Sequence, residues 1–322
     1  MKPIIFIDGK EGTTGLQIYE RLAGRTDLEL LLIDDDKRKD PAERKKCLNA
    51  ADLAILCLPD AAAKEAVAMI EDPNTRIIDA STAHRTAPGW AYGLPELSQR
   101  HREAILQSKR VANPGCHATG FITVVYPLVA AGVLPGDALL SCFSLTGYSG
   151  GGKKMIADYE AADKMQELYS PAIYAVPQKH KHLPEMKAVC GLAHEPVFSP
   201  IVDDYYKGMA TTVPFHMSQL KGVSTLHEVW KVLHDHYGAC GGKKVVYVAG
   251  DPTGEEGGIE PDSKFHGGAM AGKDSLALLV AGNDERFTIT ALIDNLGKGA
   301  SGAAVQNLNL MLGFSETEGL NV

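Results

Sequence analysis

Residues 113–120 read NPGCHATG. The thiolate is the nucleophilic form of cysteine, so a cysteine that does chemistry needs a setting that favours the anion. Cys116 has one by position. It follows an Asn-Pro-Gly turn and stands at the start of a stretch that predicts a helix, near the positive end of the helix dipole. Cys57, inside AILCLP, and Cys142, inside LLSCFS, read as packed core residues, and Cys47, Cys190 and Cys240 have no comparable setting. Covalent catalysis also needs a group that moves protons. The densest histidine segment is QKHKHLPEM, 178–186. On an extended strand His180 and His182 point to one face, and Glu185 can fix one imidazole in a single tautomer. Lys179 and Lys181 interleave, so the segment reads equally as a solvated basic strand end. His117 directly follows Cys116 and is expected to point away from it. His227, His234 and His236 lie on or near an amphipathic pattern and are expected at the surface.

Two glycine-rich loops can hold an anion. Gly9, Gly12 and Gly15 fall between a first apolar run, PIIFID, and a helical pattern, LQIYERLAG. Glycine there permits a tight turn and close approach of backbone to a pyrophosphate, while the helix N-terminus presents free N–H groups. Thr13 and Thr14 add hydroxyl donors. The second loop, TGYSGGGKK at 146–154, follows an apolar run. Ser149 and the glycine N–H groups can meet an anion, with Lys153 or Lys154 adding charge; a plain hairpin loop is the alternative. The run DDDKRKD, 34–40, ends the second strand, where an acid favours a free ribose 2′-hydroxyl and a base favours a 2′-phosphate. Both signs are present.

These residues need elements to place them. Strand-like runs at 3–8, 28–34, 51–59 and 75–81, with helical patterns after the first and the third and a charged connection after the second, predict a doubly wound α/β domain with a parallel sheet. A strand at 109–113 ends at the NPGC turn, and 118–133 reads as a helix despite β-branched residues and Pro127. From 138 onward strand-like runs dominate, including KKVVYVAG at 243–250, with one amphipathic helix at 225–238. This half predicts an α+β domain with a mostly antiparallel sheet. A last helix covers 302–314. The expected division is 1–115 completed by 300–322 as the dinucleotide-binding domain, with 116–299 as the catalytic and oligomerisation domain. A chain of 322 residues fits two domains.

Composition narrows the partners. A net charge of −8 with only short basic clusters, KRK at 37–39 and RKK at 44–46, argues against nucleic acid. No apolar run approaches the roughly 20 residues of a membrane span. The residues MKPIIFIDGK do not read as a signal peptide, and no C-x-x-C pair occurs. The expectation is a cytoplasmic protein with reduced thiols and no metal site.

A dinucleotide loop, a cysteine on a turn and a distant histidine form the layout of reductases that work through a thioester. GKEGTTG, DASTAHR with YGLPEL, NPGCHATG, TGYSGGGKK, HKHLPEM and KGASGAAVQNLNLM occur in that order, essentially end to end. By these motifs the chain closely resembles the N-acetyl-gamma-glutamyl-phosphate reductase family of arginine biosynthesis, in the shorter of its two sequence types. Lys10-Glu11, where the longer type commonly has small residues, matches the shorter one. The wider family includes aspartate-semialdehyde dehydrogenase and shares its fold with glyceraldehyde-3-phosphate dehydrogenase. The resemblance implies Cys116 as nucleophile and the HKH segment as acid–base group, through His180 or His182. It implies NADP as cofactor, held by Gly9, Gly12, Thr13, Thr14 and Gly15, with Ser81, Ser149, Gly150 and Asn307 near the cofactor or active site. Arg85 and Glu185 are candidates for holding the substrate. The implied substrate is N-acetylglutamyl 5-phosphate, and the implied assembly a homotetramer or dimer. The rivals are an aspartate-semialdehyde dehydrogenase-like reductase of another acyl phosphate, a cysteine hydrolase or acyltransferase, and a non-catalytic nucleotide-binding sensor.

Overall fold

The computed structural model describes residues 2–239, 245–252 and 263–322. Cys240 and the first residues of the 243–250 strand lie outside them. The chain divides into two compact units, 1–115 with 300–321, and 116–299 with the last residue. The division falls between Gly115 and Cys116.

In the first unit β1 (Ile4–Asp8), α1 (Thr13–Ala23), β2 (Glu29–Leu31), α2 (Pro41–Ala50), β3 (Leu53–Leu56), α3 (Asp60–Ala68), β4 (Arg76–Asp79), β5 (Ala91–Tyr92), α4 (Gln99–Gln107) and β6 (Arg110–Ala112) alternate strand with helix except between β4 and β5. The six strands form one parallel sheet in the order β2-β1-β3-β4-β6-β5. The chain steps from β1 to one side and then to the other, so the strand order reverses at β1, and ligands of open α/β sheets bind at such a crevice. Strands buried on both faces read as continuous apolar runs. Ile5 and Ile7 pack with Leu53, Ile55 and Ile78 on one side, and Phe6 with Leu56 and Ile77 on the other. The stretch read as a charged connection contains α2. Asp40 caps it by accepting from the N–H groups of Ala42 and Glu43, Pro41 opens it, and Arg44, Cys47 and Leu48 are its buried face. The last helix belongs to this unit, where Val305, Leu308 and Met311 join the Ile5 cluster.

The second unit runs α5 (Cys116–Ala130), β7 (Ser141–Gly147), α6 (Gly152–Glu160), β8 (Ala172–Ile173), α7 (Leu183–Cys190), β9 (Val197–Asp203), β10 (Met209–His216), α8 (Leu226–Ala239), β11 (Val246–Val248), β12 (Leu276–Gly282) and β13 (Arg286–Ile293), and α9 (Gly302–Leu312) follows in the first unit. The sheet order is β11-β12-β13-β10-β7-β9-β8. The β11–β12 and β7–β9 ladders are parallel and the others antiparallel, so the sheet is mixed with an antiparallel majority.

Pro127 sits inside α5 because its missing donor is replaced. Pro127 cannot donate to the Thr123 carbonyl, and the Tyr237 hydroxyl does so instead, at 2.6 Å. The HKH segment is a turn and not a strand. His182 has helical backbone angles, φ −90° and ψ −10°, and caps α7, whose first turn accommodates Pro184. The second glycine loop is likewise not a hairpin. It runs from β7 through one short 3-10 turn, Tyr148–Gly151, into α6.

Candidate active site

The loop after β1 is built for close approach. Gly9 has φ +86°, and a Cβ there would lie 2.4 Å from the Cys57 carbonyl oxygen at the end of β3. A Cβ on Gly15 would lie 2.4 Å from the Gly9 carbonyl oxygen, whereas one on Gly12 would meet nothing nearer than 3.5 Å. Gly9 and Gly15 therefore hold the turn tight, and Gly12, the N-cap of α1, leaves room in front of the helix N-terminus. The first-turn N–H groups have no intrahelical acceptor there. Thr13 Oγ1 is buried and has no hydrogen-bond partner in the protein. An open helix start and an orphaned buried hydroxyl fit a pyrophosphate. Lys10 and Glu11 do not fill this space. Lys10 Nζ lies over the Tyr19 ring at 4.7 Å, and Glu11 is 3.8 Å from Arg38.

The structure divides the DDDKRKD run. Asp34 pairs with Lys37 and Asp40 caps α2, whereas Asp35, Arg38 and Lys39 line a cleft of about 390 Å³ beside Gly9 and Glu11. Asp8, at the end of β1, is neutralised in the floor of this cleft by Arg44, 2.8 Å away.

The DASTAHR motif hangs from buried Asp79. Its carboxylate accepts from Ser81 N–H, from Ser81 Oγ at 2.8 Å and from His84 Nδ1 at 2.6 Å, and the His84 ring stacks on Trp90. Arg85 donates to the carbonyl oxygens of Asn113 and Ala80. The YGLPEL and AVQN motifs meet: Gln306 donates to Glu96, and Asn307 donates to the Gly93 carbonyl and to Asn113 Oδ1. Asn307 thus braces the NPGC turn, and its own Oδ1 is buried without a partner.

Cys116 is the first residue of α5 and is partly exposed. A Cβ on Gly299 would lie 3.0 Å from the Cys116 Cβ, so glycine is what lets the π-helical turn Gly297–Ser301 pass there. The other thiols among the described residues sit in unfavourable surroundings for an anion. Burial, with Asp79 and Asp8 close by, pushes Cys57 up to about 12. Burial raises Cys142 and Cys190 as well, and raises Cys47 with help from Glu43.

His180 and His182 come together although they lie on no strand. Their rings meet edge to face at 4.7 Å, and His182 N–H donates to His180 Nδ1 at 3.2 Å. Glu185 is buried in the first turn of α7. His117 is part of the same cluster. Its ring lies 5.5 Å from that of His180, 5.7 Å from that of His182 and 5.3 Å from that of Phe198. Sequence reasoning set His117 aside and gave Tyr174 and Ser144 no role, yet they are its hydrogen-bond partners. Ser149 is held at both its N–H and its hydroxyl oxygen. Its N–H goes to the Tyr206 carbonyl and its hydroxyl accepts from Asn295, while Lys153 and Lys154 are exposed at the start of α6. His227 and His234 are the exposed helix residues expected, each stacked with Trp230, but His236 is half-buried against Tyr126 and Tyr237. Among the described residues no group of His, Cys, Asp and Glu is arranged to hold a metal, and no helix is long and apolar enough to cross a membrane.

Two family models divide the chain along the same lines. Residues 6–106 match the semialdehyde dehydrogenase NAD binding domain, and residues 116–295 the semialdehyde dehydrogenase dimerisation domain. Aspartate semialdehyde dehydrogenase II of Vibrio cholerae, solved in complex with ASA, superimposes with a TM-score of 0.72 at 14% identity, covering 97% of this chain and 98% of that one. The Francisella tularensis aspartate semialdehyde dehydrogenase gives 0.71 at 13% identity, covering 97% and 100%. These two show the shared fold. Sequence relatives are much nearer. N-acetyl-gamma-glutamyl-phosphate reductase of Brucella anthropi is 49% identical over 317 residues, 97% of this chain and 99% of that protein. N-acetyl-gamma-glutamyl-phosphate reductase 2 of Pseudomonas putida is 44% identical over 321 residues, 98% and 99%. With both halves matched and near-half identity held from end to end, the chain belongs to the N-acetyl-gamma-glutamyl-phosphate reductase family, within the semialdehyde dehydrogenases.

Proposed function

We propose that this enzyme reduces N-acetyl-L-glutamyl 5-phosphate to N-acetyl-L-glutamate 5-semialdehyde and phosphate, with NADPH, through a thioester on Cys116. Cys116 at the start of α5, followed in the chain by the histidine-lined cluster, is the observation that carries the reading. The Cys116 thiolate attacks the acyl carbon. First-turn N–H groups of α5, which have no intrahelical acceptors, are suited to the resulting oxyanion. Phosphate leaves with the electrons of the broken C–O bond, and the thioester remains. A nicotinamide, when bound, would supply the hydride to that carbonyl. Expulsion of the thiolate from the thiohemiacetal then releases the semialdehyde and restores Cys116. His180 or His182 protonates the oxyanion left by hydride addition and takes that proton back as the thiolate is expelled.

The cofactor assignment rests on the first unit. Gly9, Gly12, Thr13, Thr14 and Gly15 would hold the pyrophosphate, and Ser81, Ser149, Gly150 and Asn307 are assigned to the cofactor or active site. Two cations, Arg38 and Lys39, against Asp35 in the cleft favour a 2′-phosphate and hence NADP over NAD. Arg85 and Glu185 are assigned to the substrate. The first unit serves as the NADP-binding domain and the second as the catalytic and oligomerisation domain of a cytoplasmic homo-oligomer, a dimer or tetramer.

A phosphate-dependent reverse assay with N-acetylglutamate semialdehyde tests the proposal directly. Reduction of NADP, faster than of NAD and faster than with aspartate semialdehyde, is expected. Preference for aspartate semialdehyde would transfer the chain to the neighbouring activity. Cys116→Ser should abolish turnover and leave NADPH binding intact; a variant with parental activity would remove the thioester from the mechanism.

A further inference from the structure

Arg44 is a clamped cation in the floor of the cleft beside Gly9. It belongs to the buried face of α2 and is 9% exposed, and Asp8, the last residue of β1, is 4% exposed. Arg44 Nη2 donates to Asp8 Oδ2 at 2.8 Å, and its Nε–H is shared between the two carboxylate oxygens at 3.2 and 3.3 Å. The guanidinium is planar, so an edge pinned on a carboxylate also fixes the opposite edge. Nη1, on that opposite edge, has no acceptor among the described residues, and Arg44 lines the cleft of about 390 Å³.

A buried pair of this kind can be a plain staple between a helix and a strand. It is a poor one, since two charges leave water where apolar neighbours such as Phe6 and Leu48 pack without that cost. A staple also has no use for a donor edge left over in a cavity. The other cations of the cleft are held differently. Arg38 is half-exposed and 3.8 Å from Glu11, and Lys39 is exposed. They bring net charge to the cleft. Arg44, largely cancelled by Asp8, brings donors in one geometry.

The rest of the cleft indicates the ligand. Leu30 of β2, Ile33 just after it, Leu58 after β3 and Ala62 of α3 form apolar walls suited to a flat base. With the pyrophosphate read at the start of α1, the phosphate left for this floor is the one on the adenosine ribose. In dinucleotide folds that group is commonly met from the end of the second strand. Here a clamped donor comes from α2 as well.

We infer that Arg44 is a specificity-determining residue for the cofactor and Asp8 its positioning residue: Asp8 holds one edge of the guanidinium, and the other edge donates to the adenosine 2′-phosphate. The inference deepens the NADP reading and rests on it.

The test is calorimetric titration of the full chain with adenosine 2′-monophosphate and with adenosine 5′-monophosphate, isomers of equal composition. It involves neither the thiol nor turnover. Arg44→Lys keeps a cation for Asp8 but has no second edge. The double variant Asp8→Leu/Arg44→Met removes the pair and leaves the net charge unchanged. The parent protein is expected to bind the 2′-isomer more tightly. Each variant should weaken the 2′-isomer by about tenfold, the size of one charge-assisted contact, and leave the 5′-isomer within about twofold. Equal losses for both isomers would overturn the inference, because the pair then only shapes the cleft. So would a parental preference kept in both variants, which would leave the phosphate to Arg38 and Lys39 and the NADP reading intact. A parent protein that does not prefer the 2′-isomer would remove the NADP reading and the inference together. If the double variant does not fold, Arg44→Lys still decides the matter.

Discussion

Asn307, on α9, donates a 3.2 Å hydrogen bond to Asn113 Oδ1, three residues before Cys116 and 194 residues away in sequence. The same amide donates to the Gly93 carbonyl at 3.0 Å, and Asn113 in turn donates to the Ala300 carbonyl. The return of the chain to the first unit is thus what fixes the turn before the cysteine. Asn307→Ala is expected to leave buried groups of Gly93 and Asn113 unpaired and to lower stability by about 1–3 kcal/mol. It should also weaken NADPH binding, since Asn307 Oδ1 is the unpartnered buried acceptor there. Urea unfolding and a fluorescence titration measure the two effects; a variant unchanged in both would reduce this link to packing.

Tyr237 and Pro127 make a paired prediction. The Tyr237 hydroxyl occupies the Thr123 carbonyl that Pro127 leaves without a helical donor. Tyr237→Phe should cost about 1–2 kcal/mol, because that carbonyl becomes a buried acceptor with no partner. In a Pro127→Ala background the restored helix N–H competes for the same oxygen, and the cost of Tyr237→Phe should shrink. A double-mutant cycle by urea unfolding reads the coupling. Equal costs in both backgrounds would show that the hydroxyl does not substitute for the missing donor.

Arg38 and Lys39 line the cleft beside the pyrophosphate loop, and Arg38 is also near Glu11. If they meet a 2′-phosphate, Arg38→Ala should raise the KM for NADPH by about tenfold, the size of one charge-assisted contact, with little change for NADH. Lys39→Ala should act in the same direction. Steady-state kinetics with both cofactors separates this from a general defect: equal losses for NADPH and NADH would mean that the pair shapes the loop and does not read the phosphate.

The parts of the site that sequence disclosed are the local ones. Gly9, Gly12 and Gly15 lie next to the strand and helix they join, and Cys116 is placed by the turn before it and the helix after it. The α2 helix had its signals in plain view, Asp40 and Pro41 at its start and Arg44, Cys47 and Leu48 at helical spacing, but the charges around them masked its short buried face. His117 was not legible because its partners are 27 and 57 residues away, and only the sheet brings Ser144 to it. The HKH segment alternates like a strand, and Pro184 at a helix start was the competing signal that prevailed. The DDDKRKD run was not legible because neighbouring charges of one run go to a cap, to an ion pair and to a cleft.

Neutral His117 makes stability depend on pH in a definite direction. Its ordinary value of 6.5 applies to the unfolded chain, and burial holds the folded ring down to about 3. Between those values the unfolded chain binds a proton there and the folded chain does not. The folded state therefore loses ground as pH falls from 6.5 toward 3, by up to about 1.4 kcal/mol per pH unit from this residue, and gains nothing from it above 6.5. Urea midpoints at several values in that window should fall steeply for the parent protein. His117→Gln keeps hydrogen-bonding capacity but cannot titrate, so its midpoints should fall less steeply even if it starts from a lower stability. Parallel slopes for the two proteins would place the pH dependence elsewhere and show that the imidazole accepts a proton in the folded state.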